Sequence, residues 1–271
     1  MKQYDAMKHI SSIQNNEVKK LLSLQLKAKV RKETKLFVVE GRRELMRANQ
    51  AGYVLEHVYW CPELFEADAF AQWQENINPN QGYTSVDLQV YKKMVFREST
   101  EGVVGILRQK DAILEHYKPK QDALILVLES IEKPGNLGAM LRTADAAAVD
   151  AVLITEQHTD VHNPNVIRSS LGGFFTTPVF ICDNEEANTF LKNHHFSVFA
   201  AILQQSIPYT KATFTQATAL VLGSEANGLS SFWRQKHITS IKIPMLGQVD
   251  SLNVSVAAAV IMYEIQRQRN A

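Results

Sequence analysis

Residues Ala123 to Leu128 form an uninterrupted apolar run, ALILVL, and soon after it comes the segment Lys133-Pro134-Gly135-Asn136-Leu137-Gly138-Ala139-Met140-Leu141-Arg142-Thr143-Ala144-Asp145. A run with no polar face is the pattern of a strand covered on both sides in a parallel sheet. Proline then fixes its own φ, glycine admits conformations closed to other residues, and asparagine is a favoured helix N-cap, so the chain is predicted to break and restart as a helix at about Leu137. Leu137, Leu141, Ala144 and Ala148 fall at helical spacing and predict a buried stripe, with Arg142 and Asp145 off it. Val149 to Ile154 supplies the next strand. The unit is strand, polar loop, helix, strand. It puts Asn136 at the carboxyl end of a strand, where open α/β sheets place ligands.

Two later stretches repeat this layout. Ala219 to Leu222 is a short apolar strand running into Gly223-Ser224-Glu225-Ala226-Asn227-Gly228, a turn with two glycines and a carboxylate. Ile241 to Ile243 leads into Pro244-Met245-Leu246-Gly247-Gln248-Val249-Asp250, after which Ser251-Leu252-Asn253 opens a long helix to about Arg267, rich in alanine. Ser251 is a candidate cap for that helix, and Asn253 is expected in its first turn.

Three ordered motifs, PGNLGAMLRTADA, LVLGSEANGLS and IPMLGQVDSLNVSVAAAV, resemble those of the SpoU (TrmH-type) branch of the SPOUT superfamily, RNA 2'-O-ribose methyltransferases. The likeness covers about residues 120 to 268. A fainter one over residues 11 to 107 is to the family's front substrate-binding domain, which is similar to a ribosomal-protein fold. The resemblance implies an α/β protein in two parts: a small ribosomal-protein-like front domain over 1–110, and, after a linker at 111–122, a SPOUT α/β catalytic domain over 123–271 with a C-terminal trefoil knot. It implies S-adenosyl-L-methionine as cofactor, RNA as partner, ribosomal ahead of transfer RNA, and a homodimer. Position by position, Asn136, Arg142, Glu225, Ser251 and Asn253 coincide with the family's polar active-site residues. Gly223, Ile243, Met245 and Leu252 coincide with its S-adenosylmethionine pocket. At Ala148 this sequence departs from the family, which commonly has glycine there.

Moving a methyl group to a ribose 2'-hydroxyl needs aligned reactants, loss of a weakly acidic proton and a grip on the neighbouring phosphate. A guanidinium, with a pKa above about 12, is not deprotonated in a protein. Arg142 is therefore expected to grip the phosphate and stabilise the developing alkoxide, not to act as the base. The alternative is an ion pair with Glu225 or Asp145 that holds the fold. Glu225 is expected to orient Arg142 or Asn136.

The front of the chain is the basic part. Residues 1–110 hold 17 Lys and Arg against 13 Asp and Glu, whereas residues 111–271 hold 12 against 15, so a net charge of +1 conceals an uneven distribution. A helix through Val18, Leu21, Leu22 and Leu26, capped by one of Ser11, Ser12, Asn15 or Asn16, turns Lys19, Lys20, Lys27, Lys29, Arg31 and Lys32 outward, either as a solvated face or as phosphate contacts. Arg42 and Arg43 lie at a helix start, where backbone N–H groups also favour anions. Strands are expected at Leu36–Val39, Val54–Trp60 and Gly102–Leu107, a helix over residues 62–76, and no assignment is made for 86–96. Arg168 precedes Ser169-Ser170-Leu171-Gly172-Gly173 and is a further candidate for a phosphate, or for an ion pair.

Other functions fit poorly. Gly135 and Gly138 give GxxG and not the dinucleotide-binding GxGxxG, and neither GxxxxGK[ST] nor GxSxG occurs. His158 and His162 have ligand spacing, but the segment around them is polar and loop-like, so no metal site is expected. Cys61 and Cys182 belong to no CxxC pair and are expected as buried free thiols. No apolar run approaches the roughly 20 residues of a membrane-spanning helix, and MKQYDAMKHISS has no signal-peptide core, so the expectation is a soluble cytoplasmic protein without a membrane partner. A non-catalytic RNA-binding protein of the same fold, or the same reaction on transfer RNA, remains the rival reading.

Overall fold

The computed structural model describes residues 7–96 and 101–270. Lys2, part of the basic stretch, lies outside them. The chain forms two compact units, one of residues through Lys110 together with His162–Arg168, the other of Asp111–Val161 and Ser169 onward.

The first unit runs β1 (Lys8–Ile10), α1 (Asn16–Leu26), α2 (Ala28–Thr34), β2 (Leu36–Glu40), α3 (Arg42–Gln50), β3 (Leu55–Trp60), α4 (Ala67–Gln74), β4 (Tyr83–Val86), α5 (Leu88–Met94) and β5 (Val103–Arg108). Its five strands lie in the order β1-β4-β3-β5-β2. Asn15 caps α1 by accepting from the Glu17 N–H at 2.8 Å. Val18, Leu21 and Leu24 of α1 pack with Val90, Tyr91 and Met94 of α5 on the sheet. The expected 62–76 helix shrinks to α4, because Cys61 to Phe65 form a turn closed by Leu64 and Phe65 N–H bonds to the Cys61 carbonyl.

After β5 the chain continues with β6 (Leu124–Glu129), α6 (Pro134–Ala146), β7 (Ala151–Thr155), α7 (Pro164–Ser169), α8 (Gly173–Thr176), β8 (Val179–Cys182), α9 (Asn184–Asn193), β9 (Ser197–Ala201), β10 (Ile207–Pro208), β11 (Thr218–Leu222), β12 (Ile238–Lys242) and α10 (Val254–Arg269). Of these, α7 through Arg168 belongs to the first unit and the others make up the second unit. Its seven-stranded sheet has the order β10-β12-β9-β11-β6-β7-β8, and every pairing is parallel. That explains ALILVL: β6 sits between β11 and β7 and is buried along its whole length. Because all strands run one way, the segments that follow β6, β9, β11 and β12 emerge at one edge. The expected linker is docked at its end, where Tyr117 donates to the Asp150 carbonyl at 3.0 Å and Lys120 pairs with the Asp150 carboxylate at 2.8 Å. Both cysteines are free; Cys61 is buried, Cys182 only partly, and burial beside Glu186 and Asp183 pushes the Cys182 thiol up to about 12.

Two helix ends differ from expectation. The α6 helix starts at Pro134, which suits a first-turn position since its missing N–H has no helical partner there. Asn136 therefore lies inside the first turn and is not the cap. At the other end, the Val149 N–H bonds to the Ala144 carbonyl at 2.8 Å and the Ala148 N–H to the Asp145 carbonyl at 3.1 Å, the paired closure that puts the residue after the cap in the left-handed region. That residue is Ala148, at φ 51°, exposed and outside the buried stripe. An alanine there carries strain that glycine lacks. Ala148→Gly is expected to raise unfolding stability by roughly 0.5–1 kcal/mol, the relief of strain exceeding the extra chain entropy of glycine; chemical denaturation of the two proteins checks it, and a lower midpoint in the variant contradicts it.

Candidate active site

The three motifs meet through side-chain amides. Asn253 is the N-cap of α10, and its Oδ1 accepts from the Ser255 N–H at 2.9 Å and the Ser255 hydroxyl at 2.6 Å. With Oδ1 committed, Nδ2 is left to donate, and it does so to Asn136 Oδ1 at 3.2 Å. Asn136 must then offer its own Nδ2, which donates to Glu225 Oε1. The helix cap thus sets the direction of a polar chain that closes on a carboxylate. The other carboxylate oxygen, Glu225 Oε2, is buried with no hydrogen-bond partner among the described residues. An unmet buried acceptor costs about 1–3 kcal/mol and leaves room for an incoming N–H or O–H.

Glu225 rides on a loop of fixed shape. Ser224 and Gly228 pair as an isolated antiparallel bridge, the Gly228 N–H bonds to the Ser224 carbonyl at 3.0 Å, and the Asn227 N–H bonds to Ser224 Oγ at 3.1 Å. Gly223 lies under this closure. A Cβ on it would stand 2.2 Å from the carbonyl of Gly228. Gly228 itself has φ 64°. Gly247 is different, since a Cβ there would meet nothing within 4 Å.

A cavity of about 590 Å³ opens at the carboxyl edge of the sheet. Its walls are Ala201–Gln204 after β9, Leu222–Leu229 after β11, and Ile241–Ile243, Met245 and Asp250–Val254 after β12. Gly223, Ile243, Met245 and Leu252, the four residues expected at the cofactor, all line it, as do Glu225, Ser251 and Asn253. Ser251 is not the helix cap. It is exposed, and its hydroxyl donates to Asp250 Oδ1 at 3.3 Å.

Arg142 stands apart from this network. It is exposed on α6, does not line the cavity and has no hydrogen bond or ion pair among the described residues, so neither Glu225 nor Asp145 holds it. Its backbone is fixed by α8, where a Cβ on Gly173 would lie 2.8 Å from the Leu141 carbonyl oxygen and 3.1 Å from the Arg142 Cα.

The other arginines divide. Arg31 corrects an expectation: it is 2% exposed, and its Nη1 donates to the Leu24 and Gln25 carbonyls at 2.5 and 3.0 Å. These carbonyls lie in the last turn of α1, so the guanidinium closes a helix end and does not face solvent. The helix start at Arg42 is already occupied, because the Arg42 N–H donates to Glu101 Oε2 at 2.5 Å; the Arg42 guanidinium lies over the Phe65 ring, 4.1 Å from its centre. Arg43 is exposed and forks onto Glu44 Oε1 at 2.8 and 3.2 Å. Arg168 is half-buried and donates to Asn165 Oδ1 at 2.7 Å.

Gly223→Ala is expected to break the loop closure, since backbone and not a flexible side chain blocks the new methyl group, and to cost roughly 1–3 kcal/mol. Gly247→Ala is expected to stay within about 0.5 kcal/mol of the parent. Thermal unfolding of both variants checks the contrast, and equal losses contradict it.

With this geometry in view, the likenesses to known proteins agree with one another. The model of the SpoU rRNA methylase family matches residues 123–263, and that of the MRM3-like substrate binding domain matches residues 15–105. The 23S rRNA (guanosine(2553)-2'-O)-methyltransferase RlmP of Bacillus subtilis is 29% identical over 263 residues, which is 96% of this chain and 100% of that one. A crystal structure of an RNA 2'-O ribose methyltransferase superposes with a TM-score of 0.84 at 36% identity, covering 97% of this chain and 100% of that one. The AdoMet-bound rRNA methyltransferase of Sinorhizobium meliloti gives 0.86 at 26% identity, covering 96% and 98%. The catalytic-domain match spans more than half of the sequence, and the protein belongs to the SpoU rRNA methylase family of RNA 2'-O-ribose methyltransferases.

Proposed function

We propose that this chain transfers the methyl group of S-adenosylmethionine to the 2'-hydroxyl of one ribose in ribosomal RNA. The observation that carries the reading is the meeting of three separate motifs, where Asn136, Glu225 and Asn253 form one hydrogen-bonded chain beside a cavity of ligand size. Its volume falls within the roughly 300–1,000 Å³ usual for small-molecule sites. The residues present fit the donor: Gly223 lets the loop close backbone against backbone at the cavity wall, Ile243, Met245 and Leu252 give apolar walls, and Glu225 keeps a buried acceptor unmet. When bound, S-adenosylmethionine supplies an electrophilic methyl group.

The chain's own residues then hold and orient. Asn253 and Asn136 fix the Glu225 carboxylate, and Ser251 offers a hydroxyl at the cavity wall. Arg142 grips the phosphate next to the target ribose and stabilises the oxygen as its proton passes to that phosphate; an exposed guanidinium with no internal partner suits that task.

The match to a substrate-binding domain over residues 15–105 supports ribosomal RNA as the partner, as does the 23S rRNA substrate named for the Bacillus subtilis relative. In this reading residues 1–110 are the RNA-binding domain, 111–122 the connection, and 123–271 the catalytic domain with the knotted threading of its kind. Lys19, Lys20, Lys27, Lys29 and Lys32 are all exposed on or beside α1 and α2 and, with Arg42, Arg43 and Arg168, supply phosphate contacts. A homodimer belongs to the same proposal, supported by Val256, Val260 and Tyr263, which share one face of α10; Val256 and Tyr263 are 48% and 53% exposed. No helix among the described residues is long and apolar enough to cross a membrane, which is compatible with action on ribosomal RNA in the cytoplasm.

Transfer of labelled methyl to unmodified ribosomal RNA and, separately, to transfer RNA tests the proposal. Incorporation at a ribose 2'-oxygen of ribosomal RNA is expected, falling at least about 10²-fold in Arg142→Ala with donor affinity retained. Arg142→Lys is expected to recover little of it, because lysine lacks the planar fork. Methylation of transfer RNA alone overturns the substrate assignment. No donor binding by the wild type overturns the reaction in favour of RNA binding without catalysis, and sedimentation of the same preparation as one chain per particle overturns the dimer.

A further inference from the structure

Glu129 ends β6 and is 2% exposed. No cation among the described residues faces its carboxylate. Instead three donors converge on it: Asn184 Nδ2 at 2.7 Å and Ser230 Oγ at 2.6 Å on Oε1, and the Ser230 N–H at 2.7 Å on Oε2. Every partner donates, so the carboxylate acts as an acceptor only, held by charge-assisted hydrogen bonds in a dry setting. Asn184 opens α9 and in turn accepts from Trp233 Nε1 at 3.1 Å, and Trp233 is fully buried in the core.

The position of this knot of bonds gives it a second consequence. Ser130, the next residue, has φ 55° and turns the chain sharply out of the strand toward Asn136. Ser230 is the last residue of the loop that starts at Gly223 and carries Glu225. One buried carboxylate therefore ties together the two segments whose tips meet in the Asn136 to Glu225 bond.

We infer that Glu129 is a positioning residue for the methyl-donor site: by anchoring Ser230 it sets the loop Gly223–Ser230 and delivers Glu225 to Asn136. The inference rests on the donor-site reading above, but its first readout needs no donor. Glu129→Gln keeps the shape and replaces an acceptor by an amide N–H₂ that faces donors. Hydrogen exchange of the full-length protein is expected to rise at least tenfold across residues 223–230 while β7 and β8 stay protected. S-adenosylmethionine dissociation, measured by calorimetry, is expected to weaken at least fivefold, with KM for RNA unchanged. Ser230→Ala, which removes only the hydroxyl and keeps the fold, is expected to loosen the same loop about two- to threefold. Added to Glu129→Gln it is expected to give less than the product of the two effects, because it removes one of the facing donors.

Loop exchange in both single variants equal to wild type overturns the inference. So does a uniform rise over the whole unit, matched by the core variant Leu191→Ala, which would make Glu129 a stability residue only. Failure of the wild type to bind S-adenosylmethionine would count against the donor-site reading, while loop exchange would still decide the role of Glu129.

Discussion

The amide chain from Asn253 through Asn136 to Glu225 is the interaction on which the site depends. Its direction is set at one end by helix capping: the Asn253 side-chain oxygen accepts from the Ser255 N–H and hydroxyl in the first turn of α10, and each following group then has one orientation open to it. Segments that lie far apart in sequence thereby acquire a common geometry. The parallel sheet makes this possible by bringing the carboxyl ends of β6, β11 and β12 to one edge, and the glycines of the 223–228 loop let backbone approach backbone closely enough for Glu225 to reach across. The cavity is the space these constraints leave.

Beneath that surface a second polar layer repeats the logic with a buried acid. Glu129 stands at the end of the same central strand and gathers donors from α9 and from the loop after β11. Farther down, Arg269 near the end of α10 donates to the Asp122 carbonyl at 2.8 Å and the Gln216 carbonyl at 2.7 Å, which pins the last helix to the starts of β6 and β11. Burial lowers the affinity of this guanidinium for its proton, yet the carbonyls around it keep the charge solvated by protein. The second unit is thus tied at both edges of its sheet, and the site lies at only one of them. Arg142 is left outside every tie. A cation with no internal partner costs little at an exposed position and stays available for a phosphate.

Much of this was legible in the residues. The period of the rear half, apolar strand then polar turn then helix, announced a parallel α/β sheet, and each of the four residues expected at the cofactor lines the cavity. What remained hidden was mostly the use of polar side chains. Asn136 follows Pro-Gly and looks like a cap, but proline at the first helical position moves the helix start three residues earlier and frees the amide for the clasp. Ser251 and Asn253 both suit a cap, and only the geometry of the turn chooses Asn253. Arg31 belongs to a run of cations on an amphipathic helix; nothing local distinguishes it from Lys29 or Lys32, because the carbonyls that bury it come from the helix before it. The short strands β1 and β4 pair with each other across more than seventy residues, too far for a local pattern to reveal. Glu129 had one signal: a carboxylate at the end of an apolar run that predicts a buried strand needs donors from elsewhere in the fold.

The most direct test of this account is a double-mutant cycle on Asn136→Ala and Glu225→Ala, read out as S-adenosylmethionine affinity. If the amide chain shapes the cavity, the two changes are expected to couple by about 0.5–3 kcal/mol, the second costing far less once the first is made. Strictly additive losses would contradict it, since the two side chains would then serve the site independently and the clasp would be incidental to it.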